Sequence, residues 1–354
     1  MAYISIKPQD FYNQTLFVGN ESNNPITGVG FQPDFVWVKG RNYSDSAGIW
    51  DSVRGAEKRL IPSSSAAESS DAQSLKSFDS DGFTLGTENS INKSGYNLIS
   101  WNMRAGTTSG ITTDGSTTIT PSAYSFNQNT GYSIVKYTGN NTSGAKIAHG
   151  LGTTPDVVIV KRTGSSGSWD IVSKHFGSTY YMRLDTTGAR ATGTWAFNDT
   201  LPDSVNFTVG DNAETNSSDG NVAYCFASKK GFSSYGIYYG NGSGNGPFIP
   251  LGFEPAMVIV KALDLTSDWQ QVDTLRHTGA QNKAASILWP NLTDLESTDY
   301  NCYFLSNGFK WNNTGAHRND HNQTFLYMAW AELPFASSNS KAGTALLLNM
   351  PLLQ

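Results

Sequence analysis

The residues able to do chemistry in this chain are few, and their spacing does not gather them. Histidine occurs at five positions, His149, His175, His277, His317 and His321. His317 and His321 have the i, i+4 spacing of a zinc pair, but Ala316-His317-Arg318-Asn319-Asp320-His321-Asn322 reads as a surface loop and brings no third ligand. His149 lies in a turn, Ala148-His149-Gly150-Leu151-Gly152, where nothing demands an imidazole. Asp79-Ser80-Asp81-Gly82 opens like a calcium loop, yet the twelfth position holds Ser90 where a bidentate glutamate is needed. Asp-Gly there predicts a hairpin turn instead. The glycine-rich runs 164–167 and 240–244 neither open a helix nor carry a phosphate-binding lysine, so they are turns. Asp34 and Asp156, or Asp51 and Asp170, could approach at the roughly 5–9 Å that glycoside cleavage requires. A scaffold role is simpler, because the matching positions further along the chain are Ala256 and Gln270. Cys225 and Cys302 stand in apolar runs at unmatched positions, which predicts buried free thiols. No catalytic residue, metal or cofactor is expected, and the chain reads as a protein that is not an enzyme.

Three tryptophans are the binding candidates. Trp50, Trp169 and Trp269 follow, at 11, 8 and 8 residues, the lysines of three similar segments. An exposed indole could stack on a sugar ring or anchor a protein interface. A core indole plugging the end of a sandwich is the other role, and burial is the commoner state of so large an apolar group.

The elements that must position these residues are repeated. Pro33-Asp34-Phe35-Val36-Trp37-Val38-Lys39 returns as Pro155-Asp156-Val157-Val158-Ile159-Val160-Lys161 and as Pro255-Ala256-Met257-Val258-Ile259-Val260-Lys261. Each reads as a strand opened by a proline, which has no N–H for a ladder, and apolar on both faces, hence covered on both sides. The lysines Lys39, Lys161 and Lys261 are expected to end these strands at the solvent edge, stem packed and amine out. Upstream stand Gly19-Asn20, Gly139-Asn140 and Gly240-Asn241, separated from the lysines by 19, 21 and 20 residues. Downstream come Asp81-Gly82-Phe83 and Asn307-Gly308-Phe309, loosely echoed by Asn206-Phe207. Each copy ends in an aromatic strand around Trp101, Phe226 or Trp330.

A period near 100 residues is too long for a solenoid and suits a small β domain. The expected architecture is all-β, three homologous β-sandwich domains (jelly-roll or lectin-like) in tandem. The expected divisions are an N-terminal arm at 1–11 and copies at 12–106, 131–234 and 235–336. A connecting segment fills 107–130, with a possible strand at Thr117–Thr120, and 337–354 is a tether with an apolar tail. The absence of a linker between the second and third copies implies that they pack together. Ser65–Lys76, the most helix-like piece, is read as a loop.

Composition narrows the partners. Charged residues are 15% and the formal net charge is −5, so there is no basic footprint for nucleic acid. No run approaches 18 apolar residues, so no membrane insertion is expected, and Met1–Asp10 has no secretory pattern. After Pro334 a Ser/Ala/Asn-rich leash carries Leu346, Leu347, Leu348, Met350, Leu352 and Leu353. These apolar residues are either a last strand on the third copy or a docking peptide for a neighbouring subunit.

Several phrases also carry a family likeness. Gly28-Val29-Gly30-Phe31-Gln32-Pro33-Asp34, Trp50-Asp51-Ser52-Val53-Arg54-Gly55-Ala56, Lys76-Ser77-Phe78-Asp79-Ser80-Asp81-Gly82-Phe83 and Ile147-Ala148-His149-Gly150-Leu151-Gly152 resemble a repeated domain of bacteriophage virion proteins. That domain is common in phages of cyanobacteria and other aquatic bacteria. The resemblance covers residues 12–335 and implies a virion structural protein, a tail-fibre or host-adhesion component, or alternatively a capsid decoration or head-fibre protein or a lectin-like module. It further implies location in the virion after assembly in the host cytoplasm, and partners among other virion proteins and host surface polysaccharide. The fibre likeness implies a homotrimer. It carries no catalytic motif.

Overall fold

The computed structural model describes residues 6–276, 283, 284, 286–298 and 302–334. Strands dominate it, paired antiparallel throughout the named ladders, with helices of a single turn between them.

Each copy builds a main sheet in the same order. In the first, the leading strand Tyr12–Val18 pairs with the closing strand Asn97–Met103, then comes the signature strand Phe35–Gly40, then Gly48–Asp51. In the second the order is Tyr132–Tyr137, Asn221–Phe226, Val157–Arg162, Trp169–Ser173. In the third it is Ser233–Tyr239, Thr324–Pro334, Phe253–Ala262, Gln270–Asp273. The signature strand thus holds the same interior position each time. The third leading strand begins at Ser233, two residues before the boundary read from sequence.

Alternation along the signature strands explains their two apolar faces. Val36 and Val38, Val158 and Val160, and Val258 and Val260 face three separate small cores. A second, smaller sheet closes each of these: Asn24–Ile26 with Gly82–Leu85 and Leu75–Asp79, then Ala145–Ala148 with Asn206–Val209, then Phe248–Pro250 with Gly308–Trp311, Cys302–Leu305 and Lys283–Ala284. Phe35 and Trp37, Val157 and Ile159, and Met257 and Ile259 point the other way, into one core that all three copies share. Aromatic pairs cross every seam of this core: Phe35 with Tyr224 at 5.5 Å, Phe226 with Trp330 at 5.9 Å, and Tyr12 with Trp330 at 6.1 Å between ring centroids. The second and third copies do pack together, and the first joins them on equal terms.

Several expectations change. The 107–130 connection contributes the strand Ala123–Asn127, which extends the second main sheet by pairing with Tyr132–Tyr137, while at 117–120 there is a single bridge, Ile119 to Ile147. The described part of the N-terminal arm makes a 3-10 turn at Pro8–Asp10, and Ile6 and Phe11 lie against the shared core. His317 lies in a helical turn, Ala316–Asn319, rather than a loop, and its Nδ1 accepts a bond from the Asp268 N–H at 3.3 Å. The chemistry of Asp81 is structural, as expected of a hairpin: its carboxylate accepts the Gly28 and Gly30 N–H groups at 3.0 and 2.7 Å. Cys225 and Cys302 are buried free thiols. His277 and the tail residues Leu346, Leu347, Leu348, Met350, Leu352 and Leu353 lie outside the described residues.

Candidate functional site

The three signature lysines do not reach solvent. Lys39, Lys161 and Lys261 are 2, 0 and 0% exposed, because each strand ends beneath a loop of another copy. Each ammonium is satisfied twice. The Lys39 Nζ donates to the Asp45 carbonyl at 2.6 Å and to the Leu292 carbonyl of the third copy at 3.2 Å. The Lys161 Nζ donates to Gly167 at 2.5 Å and to Ser65 of the first copy at 3.0 Å, both through carbonyls. The Lys261 Nζ donates to the Ser267 hydroxyl at 3.1 Å and to the Thr187 carbonyl of the second copy at 3.1 Å. In every case the near partner is six residues on and the far partner belongs to the copy next around, so the contacts run first to third, third to second, second to first. The ring closes. Burial depresses all three amines to about 8.

Indoles repeat the same cycle. The Trp101 Nε1–H donates to the Asp273 carboxylate of the third copy at 3.2 Å, Trp169 to Ile61 of the first at 3.0 Å, and Trp269 to Arg183 of the second at 2.9 Å. Trp50 is not part of this set. It stands opposite Val36 in the ladder, whereas Trp169 stands opposite Lys161, so Trp50 faces the first copy's own small core and bonds Ser74. The match of Trp50 to Trp169 and Trp269 was one of sequence order, not of position in the sheet. Trp50, Trp169 and Trp269 are all buried, so none offers an indole face for stacking on a sugar.

The acidic candidates are also committed to the scaffold. Asp34 accepts from the Ser52 hydroxyl at 2.5 Å and the Ala105 N–H at 2.9 Å. Asp156 accepts from His175 at 2.8 Å, Lys174 at 2.9 Å and the Ser228 N–H at 2.7 Å. Burial would raise the Asp156 carboxyl, but these donors hold it below the usual carboxylate range. Asp51 pairs with Arg54 at 2.6 Å and accepts the Tyr224 hydroxyl of the second copy at 2.7 Å. Its ladder counterpart is Asp273, paired with Arg276 at 2.7 Å, and not Asp170. Asp170 is bonded by Arg183 at 3.1 Å, and burial, then Glu214, raises its carboxyl to about 8. His149 is buried with Nδ1 accepting the Leu151 N–H and Nε2 beside the Asp203 carbonyl, and burial lowers it to about 4. It is a neutral structural imidazole.

A further trio escaped the sequence reading. Asn92, Asn216 and Asn319 are fully buried at the ends of equivalent helical turns. The Asn216 amide donates to the Gly210 and Thr142 carbonyls at 2.7 and 3.0 Å and accepts the Asn140 N–H at 2.8 Å. Asn92 does the same with Gly86, Ser22 and Asn20, and Asn319 with Asn313, Ser243 and Asn241. This explains the Gly-Asn landmarks. A Cβ on Gly19, Gly139 or Gly240 would lie 2.2, 2.1 or 2.1 Å from backbone atoms of Lys93, Asn216 or Asp320. The available signal was spacing: each asparagine stands five residues before its closing strand.

Where the three main sheets meet, an apolar cavity of about 50 Å³ remains, lined among others by Trp37, Trp101, Tyr224, Ile259, Trp269 and Met328. It is smaller than a ligand site. Among the described residues there is also no group of three or more His, Cys, Asp or Glu placed to hold a metal. The amines, though depressed, are enclosed by carbonyls and, at Lys261, by the Ser267 hydroxyl, and their threefold recurrence at seams marks them as fasteners rather than nucleophiles.

The chain belongs to the family described as a domain of unknown function (DUF7483). That family's model matches residues 7–334. No curated protein matches the chain. The DUF7483 match runs unbroken through all three copies and stops where the last strand, Thr324–Pro334, ends. A single family unit therefore coincides with the ring rather than with one sheet of it.

Proposed function

We propose that this DUF7483 protein is a structural bacteriophage virion component, a tail-fibre or host-adhesion part built from three homologous β-sandwich copies. The observation that carries this reading is the closed ring: three sheets of one order, fastened around a shared core by buried lysine and tryptophan contacts that recur at each seam. Such a unit offers a threefold knob whose buried polar residues are used in holding it together. The resemblance of its repeated phrases to phage virion proteins points the same way. Copies closed around an axis suit a fibre tip, or a capsid decoration at a threefold position, better than a shaft, which would string them in a line. Other virion proteins are the proposed partners, and the segment 337–354 is the proposed link to them or to further copies in a homotrimer.

The test is mass spectrometry of purified particles followed by immunogold microscopy. The reading expects the chain in the particle with label on the tail, and label on the head would select the decoration alternative. Absence from particles would overturn both. A structural role also expects no release of reducing sugar from host polysaccharide.

A further inference from the structure

We propose that the open hollow at the seam between the first and third copies binds an uncharged hexopyranose unit of a surface polysaccharide. This inference rests on the adhesion reading and gives it a site. The hollow has a volume of about 450 Å³, within the range of small-molecule sites. Its apolar wall is Trp289, half-buried against the third copy's small core, and Leu295, which is 48% exposed. Around them stand the hydroxyls of Ser44, Ser297 and Thr298 and the exposed carboxylate of Asp294. An apolar plate rimmed by hydroxyl and carboxylate groups complements a sugar ring, which has C–H faces and a belt of hydroxyl donors.

The wall is preorganised by the seam itself. Arg41 of the first copy grips Glu296 through Nε at 2.9 Å and a second guanidinium nitrogen at 3.1 Å, and the Glu296 N–H donates to the Arg41 carbonyl at 2.7 Å. Arg276 adds a third charged bond to Glu296 at 3.3 Å, and Ile287 and Ser297 exchange backbone bonds at 2.8 and 3.1 Å. A site held this way loses little entropy on binding. Glu296 is thereby neutralised, and among the described residues that line the hollow there is no lysine or arginine and Asp294 is the exposed charge. Uronic acids and sulfated sugars are repelled, whereas a neutral ring can donate hydroxyls to Asp294.

The experiment is calorimetric titration of the full chain with cello-oligosaccharides, N-acetylglucosamine oligomers and polyuronate oligomers. The proposal expects a neutral oligomer to bind and the polyuronate not to. Trp289→Ala should weaken the neutral oligomer about tenfold or more. Ser44→Trp, which fills the hollow from the other copy without touching the third core, should do the same while thermal unfolding stays unchanged. Binding of neither neutral oligomer, preference for polyuronate, or binding indifferent to Ser44→Trp would each overturn it. Particle incorporation of Ser44→Trp separates the two readings: the variant should still assemble into virions. Absence of the wild-type chain from virions would sink the adhesion role while leaving sugar binding by the isolated protein to be judged on its own titration.

Discussion

At the scale of single residues, the polar groups that look most available for chemistry are the most committed. Lysine at the end of an apolar strand normally lets its amine snorkel to water. Here a loop from the next copy covers each strand end, and nothing in the local sequence of Lys39, Lys161 or Lys261 announces a partner that lies 74 to 253 residues away. The depressed amines make a signed prediction. Their folded value of about 8 lies below the ordinary 10.5, so the unfolded chain holds more protons between those limits, and stability rises with pH across that window and is lost again as pH falls through 8. Denaturant titrations at pH 8 and 9.5 should show a gain of about 1–2 kcal/mol per lysine, absent at the altered seam in Lys161→Met. Burial also raises the Cys225 and Cys302 thiols far above their ordinary 9, and Tyr12, Tyr132, Tyr137, Tyr224 and Tyr238 well above 10, so the thiols subtract from this gain already within the window and the tyrosines do so from about pH 10 upward. The buried asparagines give a second prediction. Asn216→Ala strands the Gly210 and Thr142 carbonyls and the Asn140 N–H, and should cost about 2–4 kcal/mol in the same titration.

At the scale of elements, hydrophobic pattern was legible and register was not. Both-sided burial of the three signature strands could be read from their β-branched runs, as could the hairpins at Asp81-Gly82 and Asn307-Gly308. Matching tryptophans by their order nevertheless placed Trp50 with Trp169 and Trp269, although the position eight residues past Lys39, where those two stand past Lys161 and Lys261, holds Ala47, and Trp50 lies three residues further along the chain. Only ladder partners reveal that Trp50 faces the other side. The strand Ala123–Asn127 was also hidden, since its polar neighbours read as linker while its partner lies just across a hairpin. Ile259 sits on the shared-core face of its strand and lines the central cavity. Ile259→Ala enlarges a void that three sheets enclose, and should lower the unfolding free energy by about 2–5 kcal/mol. A loss well under 1 kcal/mol would mean that the sheets relax around the gap.

At the scale of the whole molecule, repetition was readable and closure was not. Landmarks recurring in order predicted three like sheets, but no local pattern says whether copies lie in a row or meet around an axis. Closure depends on the inward faces, where Trp37 in the first copy meets the smaller Ile159 and Ile259 of the other two in one core. A shared core makes the copies thermodynamically inseparable, because removing one exposes the inner faces of the other two. Native-state hydrogen exchange of wild type and Lys161→Met tests this most directly. The variant breaks one fastener, between the second copy and the first. The account predicts that amide protection in residues 35–40, 157–162 and 253–262 falls by one common factor. Loss confined to the first two strands, with 253–262 fully protected, would contradict it.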